Sequence, residues 1–256
     1  MSLTGRVALV TGAGAGLGAA IARRLAAEGA AIAAMDLKRE AAQATAEAIG
    51  NKGGKCAALT GDVSDPEAAA RIVAETVARL GRVDILVNNA GLGGTHRFLD
   101  CPLDHWQRLM AVNLTGTFLF GQAAGRVMAR QRSGRIVNIA SISGFRAGSG
   151  RTAYGVSKAG VIALTRQMAV ELAPLGITVN AVAPGPVDTD LTRAMHTAET
   201  RAAFNAAIPN GRYGTAEEIA AAVAFLVRDE AAYVNGHVLA VDGGFLAAGL
   251  IDRSAV

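Results

Sequence analysis

Short apolar runs and longer segments of helical spacing alternate along the whole chain. An uninterrupted apolar run of four or five residues is typical of a strand that is buried on both faces. Strands that alternate with helices predict a parallel sheet in a doubly wound α/β domain. The predicted strands lie at residues 6–10, 31–35, 55–59, 84–87, 135–139, 178–182 and 238–241.

The segments between these runs predict about six helices. One begins with Pro66 in its first turn and ends before Gly81, as helices commonly do. Long helical regions are predicted over residues 104–132 and 153–172. Residues 190–211 are predicted to form a mobile helical lid. Because no repeat or linker interrupts the pattern, we predict one domain over residues 1–256.

Composition and charge exclude several classes of protein. The 256 residues are 51% hydrophobic, which supports a sizeable core. The net charge is +4, but Lys and Arg are scattered singly or in pairs, which argues against a nucleic-acid partner. Cys56 and Cys101 have no metal-ligand or redox spacing and favour a reducing compartment. With no apolar leader or membrane span, we expect a cytoplasmic protein without metal, nucleic-acid or membrane partners.

A glycine-rich turn, TGAGAGLG at residues 11–18, joins the first strand to the first helix. Backbone N–H groups in such a turn, together with the helix N-terminus, can bind a phosphate. The spacing Gly12-x-x-x-Gly16-x-Gly18 differs from the common G-x-G-x-x-G, and tight packing alone is an alternative explanation. Asp36 ends the second strand, where a carboxylate can accept hydrogen bonds from an adenosine ribose or cap the next helix. The position of the turn favours a dinucleotide site.

A hydroxyl, a phenol and an ammonium form the candidate catalytic set. Ser141 follows the fifth strand, and Tyr154 and Lys158 lie four residues apart on one helix face. A phenol is a poor base at neutral pH, but a positive charge about 4–5 Å away stabilises a phenolate by roughly 3–4 kcal/mol at an effective dielectric of 20. Tyr-x-x-x-Lys therefore suits a site where a proton moves. A half-buried aromatic beside a solvated lysine is the alternative for the pair alone.

Several other polar residues allow two interpretations each. Asp62 follows the third strand and either meets an adenine or only forms a turn. Asn88 and Asn89 follow the fourth strand and either tie strands together or form the floor of a site. Asn113 lies among apolar neighbours, where it either holds a water at a kink or is a satisfied core amide. His96 lies in a loop, where a histidine is more often solvated than catalytic.

Together these motifs resemble the short-chain dehydrogenase/reductase family over nearly the whole chain. TGxxxGxG at residues 11–18, NNAG at 88–91, the Ser and Tyr-x-x-x-Lys set and Pro184-Gly185 occur in the family's order and spacing. The resemblance implies a single Rossmann-type domain and a nicotinamide cofactor. It also implies reversible hydride transfer between a secondary alcohol and a ketone.

The resemblance assigns roles to residues of this chain. It implies that Tyr154 is the general acid/base, that Lys158 assists it and holds the nicotinamide ribose, that Ser141 binds the substrate oxygen, and that Asn113 holds a water. It also implies a homotetramer built through the helices at 104–132 and 153–172. The expected cofactor-binding residues are Gly12, Ala15, Gly16, Leu17, Gly18, Asp36, Leu37, Asp62, Val63, Asn89, Ala90, Gly91, Tyr154, Lys158, Pro184, Gly185, Val187 and Thr189.

Two departures from the 3-oxoacyl-carrier-protein reductases, which the C-terminal half resembles, bear on the substrate. Those enzymes usually prefer NADPH and carry Arg where this chain has Ala15, and commonly a basic residue where it has Leu175. With Asp36, these departures favour NAD and a small neutral substrate such as a polyol, a sugar-like alcohol or a cyclic alcohol. A 3-oxoacyl-carrier-protein reductase is the alternative, and a non-catalytic NAD-binding sensor is the alternative from another class.

The predicted substrate pocket combines small residues with few bulky apolar ones. Its segments are residues 93–98, 142–151 and 190–195. His96, Arg146 and Arg151 of these segments either donate hydrogen bonds to substrate hydroxyls or a carboxylate, or are solvated loop charges.

Overall fold

The protein contains one seven-stranded parallel sheet, seen in a computed structural model that describes residues 2–249. Residues 1 and 250–256 of the predicted domain lie outside this described part. Every strand lies within two residues of its prediction, and the predicted α/β class is confirmed. The strands are β1 (Val7–Thr11), β2 (Ala31–Asp36), β3 (Cys56–Thr60), β4 (Ile85–Asn88), β5 (Gly134–Ile139), β6 (Ile177–Pro184) and β7 (Val238–Val241). Their spatial order is β3-β2-β1-β4-β5-β6-β7.

Helices connect these strands and cover both faces of the sheet. Helix α3 shows the local rules clearly, because Asp65 caps it by accepting a hydrogen bond from Glu67 N, Pro66 begins it, and Gly81 ends it in the left-handed region. The α-helices of the described residues are α1 (Gly16–Ala27), α2 (Arg39–Gly50), α3 (Pro66–Leu80), α4 (Leu103–Leu109), α5 (Gly116–Gln131), α6 (Thr152–Leu172), α7 (Asp190–Met195), α8 (Ala198–Ala207) and α9 (Ala216–Val227).

Alternate residues of the central strands pack into two different cores. Ala8 and Val10 of β1 pack with α1 and α9, whereas Leu9 packs on the other face with α3 and α5. All three of these β1 side chains are fully buried. Burial on both faces explains why the strands are uninterrupted apolar runs and not alternating patterns.

The strand order creates a crevice beside β1. The chain moves from β1 to β2 and β3 on one side, and then crosses to β4 on the other side of β1. At such a switch point the connections leave in opposite directions, and ligands bind beyond the carboxyl ends of the strands. The residues that follow β1, β2, β4, β5 and β6 are therefore brought to one edge of the sheet.

The helical region predicted over residues 104–132 is divided by a π-helical turn at Met110–Thr115. Helices α4 and α5 continue from either side of this turn. The turn contains Asn113, whose side chain is fully buried. A π-helical turn inside a long helix is frequently found at a functional site.

The segment predicted as a lid, residues 190–211, forms the two short helices α7 and α8. Each begins at a threonine cap, Thr189 for α7 and Thr197 for α8. Both helices follow β6 and extend over the carboxyl edge of the sheet. The predicted helical character is therefore correct, while the predicted mobility stays a prediction.

Candidate active site

A cavity of 860 Å³ runs along the carboxyl ends of β1, β4, β5 and β6. It joins residues from five separate turns of the chain, as the strand order requires. The predicted site residues that line it are Gly12, Ala15, Gly16, Leu17, Gly18, Asp36, Asn89, Ala90, Gly91, Ser141, Tyr154, Lys158, Pro184, Gly185, Val187 and Thr189.

The glycine-rich turn forms the tightest part of this cavity. A Cβ atom at Gly12 would lie 2.8 Å from Ala90 Cα, and one at Gly18 would collide with the carbonyl oxygen of Gly12. Gly16 differs, because it has a φ of +52° and its Cβ would point into open space, with Thr189 Cγ2 4.0 Å away. A bound group can therefore approach the main chain closely at Gly16.

The N-terminus of α1 is open towards the same space. Its N-cap residue, Ala15, has no side-chain oxygen, so no cap occupies the first N–H groups of the helix. Uncapped N–H groups at a helix N-terminus are suited to bind a phosphate. This end of the cavity thus fits the pyrophosphate of a dinucleotide, and a bulky residue at Gly16 would fill the space.

Asp36 is fixed at the end of β2 by two main-chain donors. Its Oδ2 atom accepts a hydrogen bond from Gly14 N at 2.9 Å, and its Oδ1 atom accepts one from Lys38 N at 3.0 Å. The carboxylate lines the cavity beside the glycine-rich turn. Each carboxylate oxygen retains accepting capacity, so Asp36 can bind ribose hydroxyls without moving.

Thr11 and Asn89 join the ends of β1 and β4. The Thr11 hydroxyl accepts hydrogen bonds from Asn89 N and Ala90 N, at 3.0 and 3.1 Å. The Asn89 amide donates to the carbonyls of Thr11 and Gly12, at 3.0 and 3.1 Å. Asn89 is therefore both a tie between strands and part of the cavity wall. The two interpretations of this asparagine are compatible.

The neighbouring Asn88 lies away from the cavity and belongs to a buried hydrogen-bond network. Its amide donates to Asn138 Oδ1 at 2.9 Å, and the Asn138 amide donates to Thr165 Oγ1 at 2.9 Å. All three side chains are buried, and none of them lines the cavity. This network ties β4 and β5 to α6, and it holds the helix that carries Tyr154. Asn138 and Thr165 were not predicted, since their sequence neighbourhoods show only a strand and a helix.

Ser141, Tyr154 and Lys158 meet in the middle of the cavity. Ser141 Oγ accepts a hydrogen bond from Ser143 N at 3.1 Å, which leaves the hydroxyl proton free to be donated. Among the described residues, no group is hydrogen-bonded to the Tyr154 hydroxyl. Lys158 Nζ lies 5.9 Å from the centre of the Tyr154 ring. The arrangement offers two hydroxyl donors and one ammonium to a bound molecule.

Lys158 is an ammonium group in an almost dry environment. Its side chain is 4% exposed, and Nζ donates to the carbonyl of Ile139 at 2.8 Å. Desolvation by burial lowers the pKa of Lys158 to about 8. The group is thus mostly protonated at neutral pH and keeps two further donors for a ligand.

Asn113 has protein partners for both of its amide protons. Its Nδ2 atom donates to Leu92 O and to Ser157 Oγ, each at 3.0 Å, and its Oδ1 atom accepts from Leu92 N at 2.7 Å. A Cβ atom at Gly91 would lie 3.3 Å from Asn113 Oδ1 and 3.5 Å from Lys158 Nζ. The amide and the ammonium therefore approach the same point. The predicted water-holding role of Asn113 stays a prediction.

Three predicted cofactor residues do not line the cavity. Leu37 is 58% exposed at its rim, next to Asp36. Asp62 accepts two hydrogen bonds from Ser64, which hold the pKa of its carboxyl below the ordinary value. Val63 is buried against α5 near Gly116. These positions give Asp62 and Val63 a local structural explanation, and contact with an adenine stays a prediction.

The other end of the cavity is formed by side chains from distant segments. His196 stacks on Phe204 with ring centres 5.4 Å apart and shares a hydrogen bond with Tyr213. Phe204 in turn lies 6.1 Å from Phe245, which follows β7. Phe204 and Phe245 line the cavity but were not predicted, because nothing in their local sequence distinguishes them from core aromatics. Of the predicted pocket histidines and arginines, Arg146 and Arg151 line the cavity and His96 does not.

Comparisons with known proteins give this geometry a family. The family model described as enoyl-(acyl carrier protein) reductase matches residues 12–246. The 3-oxoacyl-[acyl-carrier-protein] reductase FabG of Escherichia coli (strain K12) is 41% identical over 244 residues, which cover 95% of this chain and 98% of that relative. The chain belongs to the short-chain dehydrogenase/reductase family. This short-chain dehydrogenase/reductase is an oxidoreductase that acts on CH–OH or keto groups.

Solved structures agree with this assignment. A Beutenbergia cavernae protein that is named, without an established activity, as an NAD(P)-dependent gluconate 5-dehydrogenase was solved with NADP at low occupancy. It is 42% identical, with a TM-score of 0.91 over 96% of this chain and 99% of that one. A 7α-hydroxysteroid dehydrogenase, solved with NADH and 7-oxo glycochenodeoxycholic acid, is 34% identical, with a TM-score of 0.92 over 95% of each chain. Members of the family bind a nicotinamide cofactor, and these two neighbours were solved with different forms of it.

Two further observations concern other ligands. Within residues 2–249, no group of three His, Cys, Asp or Glu side chains could hold a metal ion. No helix in the same part of this short-chain dehydrogenase/reductase is both long and apolar enough to cross a membrane.

Proposed function

We propose that this chain is a nicotinamide-dependent 3-oxoacyl reductase, which interconverts a 3-oxoacyl and a 3-hydroxyacyl group. The observation that carries the proposal is the similarity to 3-oxoacyl-[acyl-carrier-protein] reductases, which extends over 95% of the chain. The cavity supports the same chemistry, since Ser141, Tyr154 and Lys158 line it together. The relatives thus favour the 3-oxoacyl alternative over the small neutral alcohol that the departures at Ala15 and Leu175 suggested.

In this proposal the chain's own groups act on the substrate oxygen. Ser141 and Tyr154 both donate hydrogen bonds to the ketone, and Tyr154 transfers its proton as the oxygen gains negative charge. In the reverse direction Tyr154 accepts the proton of the alcohol. Lys158, fixed by Ile139 O, supplies the positive charge that favours the phenolate. When bound, the nicotinamide cofactor supplies or accepts the hydride.

The cofactor would be held by the groups at the glycine end of the cavity. We infer that the main chain at Gly16 and the N-terminus of α1 receive the pyrophosphate, and that Lys158 and Thr189 lie on the nicotinamide side. We propose NAD(H) over NADP(H), because the fixed carboxylate of Asp36 would repel a 2′-phosphate. Asn113 is proposed to connect Lys158 with solvent through its main chain or a water, since its amide protons are already used.

A second candidate function is oxidation of a small neutral alcohol, such as a polyol or a cyclic alcohol. Leu175 favours it, because this partly buried side chain packs at the edge of the core on one face of the sheet and offers no charge to an acidic carrier protein. The non-catalytic sensor is less well supported, since binding alone gives no reason for a desolvated lysine beside an open phenol.

The experiment that tests these functions compares catalytic efficiencies with NADH or NAD on an acetoacetyl thioester, a set of diols and a set of cyclic ketones. We expect the 3-oxoacyl compound to be reduced, and the Tyr154→Phe variant to be inactive on it. A tenfold higher efficiency on a diol or cyclic ketone would favour the second function. Binding of NAD with no turnover of any substrate would favour the sensor.

We further propose a cytoplasmic homotetramer that is assembled through α5 and α6. Large apolar side chains are exposed on these helices, with Phe118 at 45%, Val156 at 45% and Val170 at 72%. Exposed apolar residues on one face are typical of a surface that another subunit covers. Sedimentation equilibrium of the wild type and of a Val170→Glu variant tests this assembly, and a monomeric wild type would contradict it.

A further inference from the structure

Arg151 is a cation without a carboxylate partner in the described part of the chain. It lies at the end of the cavity that Arg146, Phe204 and Phe245 also line, which we call the substrate end; the opposite end, at the glycine-rich turn and Asp36, is the cofactor end. Arg151 is the residue before helix α6, and its guanidinium carbon lies 4.2 Å from the centre of the Tyr154 ring. The side chain is half-buried and lines the cavity. Within residues 2–249, no acidic side chain forms an ion pair with it.

The main chain around Arg151 is held in place from both sides. Its N–H donates to Gly148 O at 3.2 Å, and its carbonyl accepts from Gly155 N at 2.6 Å. Residues His96 and Arg151 also form a β-bridge, next to which His96 N donates to Gly150 O at 3.0 Å. Arg151 therefore projects from a fixed support and not from a free loop.

The acidic residues of the cavity wall are already engaged elsewhere. The wall contains Asp36 and Asp190. Asp36 accepts hydrogen bonds from two main-chain N–H groups at the cofactor end, and Asp190 pairs with Arg193 at 3.1 Å. An anion that enters the substrate end would thus meet an uncompensated guanidinium.

The other cations near this end have different surroundings. Arg201 pairs with Asp188 at 3.0 Å, and Arg146 stacks on Phe245 and donates to its carbonyl. Burial, together with the charges of Arg151 and Arg201, lowers the pKa of His196, which favours the neutral form of its ring. Among residues 2–249, Arg146 also lacks a carboxylate partner, but it stacks on Phe245, whereas Arg151 is the arginine of this set that stacks on Tyr154.

We propose that Arg151 binds the carboxylate of a small 3-oxo acid and that the enzyme prefers this free acid to a thioester or ester of it. The inference rests on the proposed 3-oxoacyl reduction and specifies its substrate class. One guanidinium matches a monoanion, and its planar donors fit a carboxylate in a bidentate manner. In a 3-oxo acid only one carbon separates the ketone from the carboxylate, which matches a guanidinium stacked on the tyrosine that protonates the ketone.

The test uses two substrates with the same ketone, acetoacetate and methyl acetoacetate. We expect the wild type to have a higher kcat/KM for acetoacetate. Arg151→Gln should lower kcat/KM for acetoacetate by roughly 10- to 100-fold, because a hydrogen-bonded charge pair is lost, and change that for the ester less than threefold. Arg151→Lys should retain part of the preference. Arg23→Gln, which removes an exposed charge on α1, should change neither value.

Two outcomes would overturn the inference while the proposed function stands. An equal loss on both substrates in Arg151→Gln, with a shifted pH profile, would mean that Arg151 acts through Tyr154 and not on the substrate. A wild type that prefers the ester or the acetoacetyl thioester would mean that no carboxylate is bound.

Failure of the proposed function has a different result, namely no reduction of any 3-oxo compound. The inference is then decided by binding alone, measured as the change in NADH fluorescence when acetoacetate is added to the enzyme–NADH complex. A Kd that rises at least tenfold in Arg151→Gln supports the carboxylate site. An unchanged Kd, or the absence of binding, overturns it.

Discussion

The two ends of the candidate active-site cavity are built in different ways. Apart from the Asp36 carboxylate, the cofactor end consists mainly of main chain, with glycines packed so closely that Gly18 has no room for a Cβ atom. The substrate end consists of side chains that stack in pairs, such as Arg151 on Tyr154 and Arg146 on Phe245. The shape of the cofactor end depends on the absence of side chains at its glycines. The properties of the substrate end depend on the charges and rings of its side chains.

This difference separates cofactor binding, at one end, from substrate preference, at the other. A cradle of main-chain N–H groups recognises a phosphate whatever the neighbouring side chains are, so it suits the part of the ligand that never varies. Side chains from separate segments can be exchanged one at a time without disturbing the sheet. We therefore expect substitutions at the cofactor end to affect folding and all substrates, and substitutions at the substrate end to change preference.

The Tyr154→Phe variant has the largest expected effect and tests whether turnover can be lost while cofactor binding is kept. Removal of the hydroxyl eliminates the transferable proton, and we expect turnover to fall by about 10³-fold. NADH should bind within threefold of the wild type, as measured by nucleotide fluorescence, because the ring and the cofactor end are unchanged. Substantial turnover in this variant would contradict the assigned role of Tyr154.

Gly18→Ala tests the rigidity of the cofactor end. The new Cβ would collide with Gly12 O and lie 2.5 Å from Asn89 Nδ2, so the turn must shift. We expect the free energy of unfolding to fall by about 3 kcal/mol and NADH affinity to fall more than tenfold. Gly50→Ala is the matched control, since a Cβ there has no neighbour within 4 Å, and it should stabilise the helix by about 0.5–1 kcal/mol. Urea unfolding of both variants would show whether the turn is as crowded as described.

Asp36→Asn tests whether one side chain sets the cofactor preference at the main-chain end. Loss of the charge should raise the kcat/KM ratio of NADPH to NADH by roughly 5- to 150-fold, equivalent to about 1–3 kcal/mol. Glu40→Gln, which removes an exposed charge from the first turn of α2, should leave this ratio unchanged. Equal kcat/KM values of the wild type with NADH and NADPH would contradict the proposed preference for NAD(H).

Lys158→Met tests how much stability the buried ammonium costs. Because burial lowers its folded-state pKa to about 8 from 10.5, the protonated lysine destabilises the fold below pH 8, by at most about 3 kcal/mol. The variant also loses the hydrogen bond to Ile139 O, so at pH 7 we expect it to be more stable than the wild type by about 1–2 kcal/mol.

The sign of the pH dependence follows from proton uptake. Between pH 8 and 10.5 the unfolded chain binds the proton of Lys158 and the folded chain does not, so wild-type stability rises with pH relative to the variant. The advantage of Lys158→Met should therefore shrink or reverse by pH 10.5. Urea unfolding of both proteins without cofactor, at pH 7 and pH 10.5, measures the difference between their free energies of unfolding. If this difference is the same at both pH values, Lys158 is not desolvated as described.

The sequence predicted the cofactor end far better than the substrate end, for a physical reason. Strands, glycines and the Tyr154–Lys158 spacing are local patterns, because the period of a helix or strand decides which neighbours share a face. The close packing that requires glycine at positions 12 and 18 is visible as a short local motif, residues 11–18. The strands were consequently predicted to within two residues, and Ser141, Tyr154 and Lys158 line one cavity, while their catalytic roles stay predictions.

Contacts between distant segments left no such pattern. Phe204 and Phe245 meet only because the lid and the turn after β7 fold over the same edge. The stacking of Arg151 on Tyr154 depends on the path of a glycine-rich loop, and the sequence favoured a solvated loop charge for Arg151. A kink was one of two interpretations at Asn113, but the sequence did not indicate a π-helical turn, because the apolar neighbours of Asn113 fit a regular helix as well.

That π-helical turn has a consequence for how the protein tolerates insertions and deletions. Compared with a regular helix, Met110–Thr115 contains one extra residue, and each residue turns an α-helix by about 100°. Because the wide i→i+5 turn absorbs that extra rotation, deletion of one residue there would let a regular helix run from α4 into α5 and would remove the widened turn that positions Asn113. Asn113 would then lose its alignment with Leu92 and Ser157. A one-residue deletion that is compatible with a continuous helix would thus break the hydrogen bonds that join this helix to the loop at Leu92 and to α6 at Ser157.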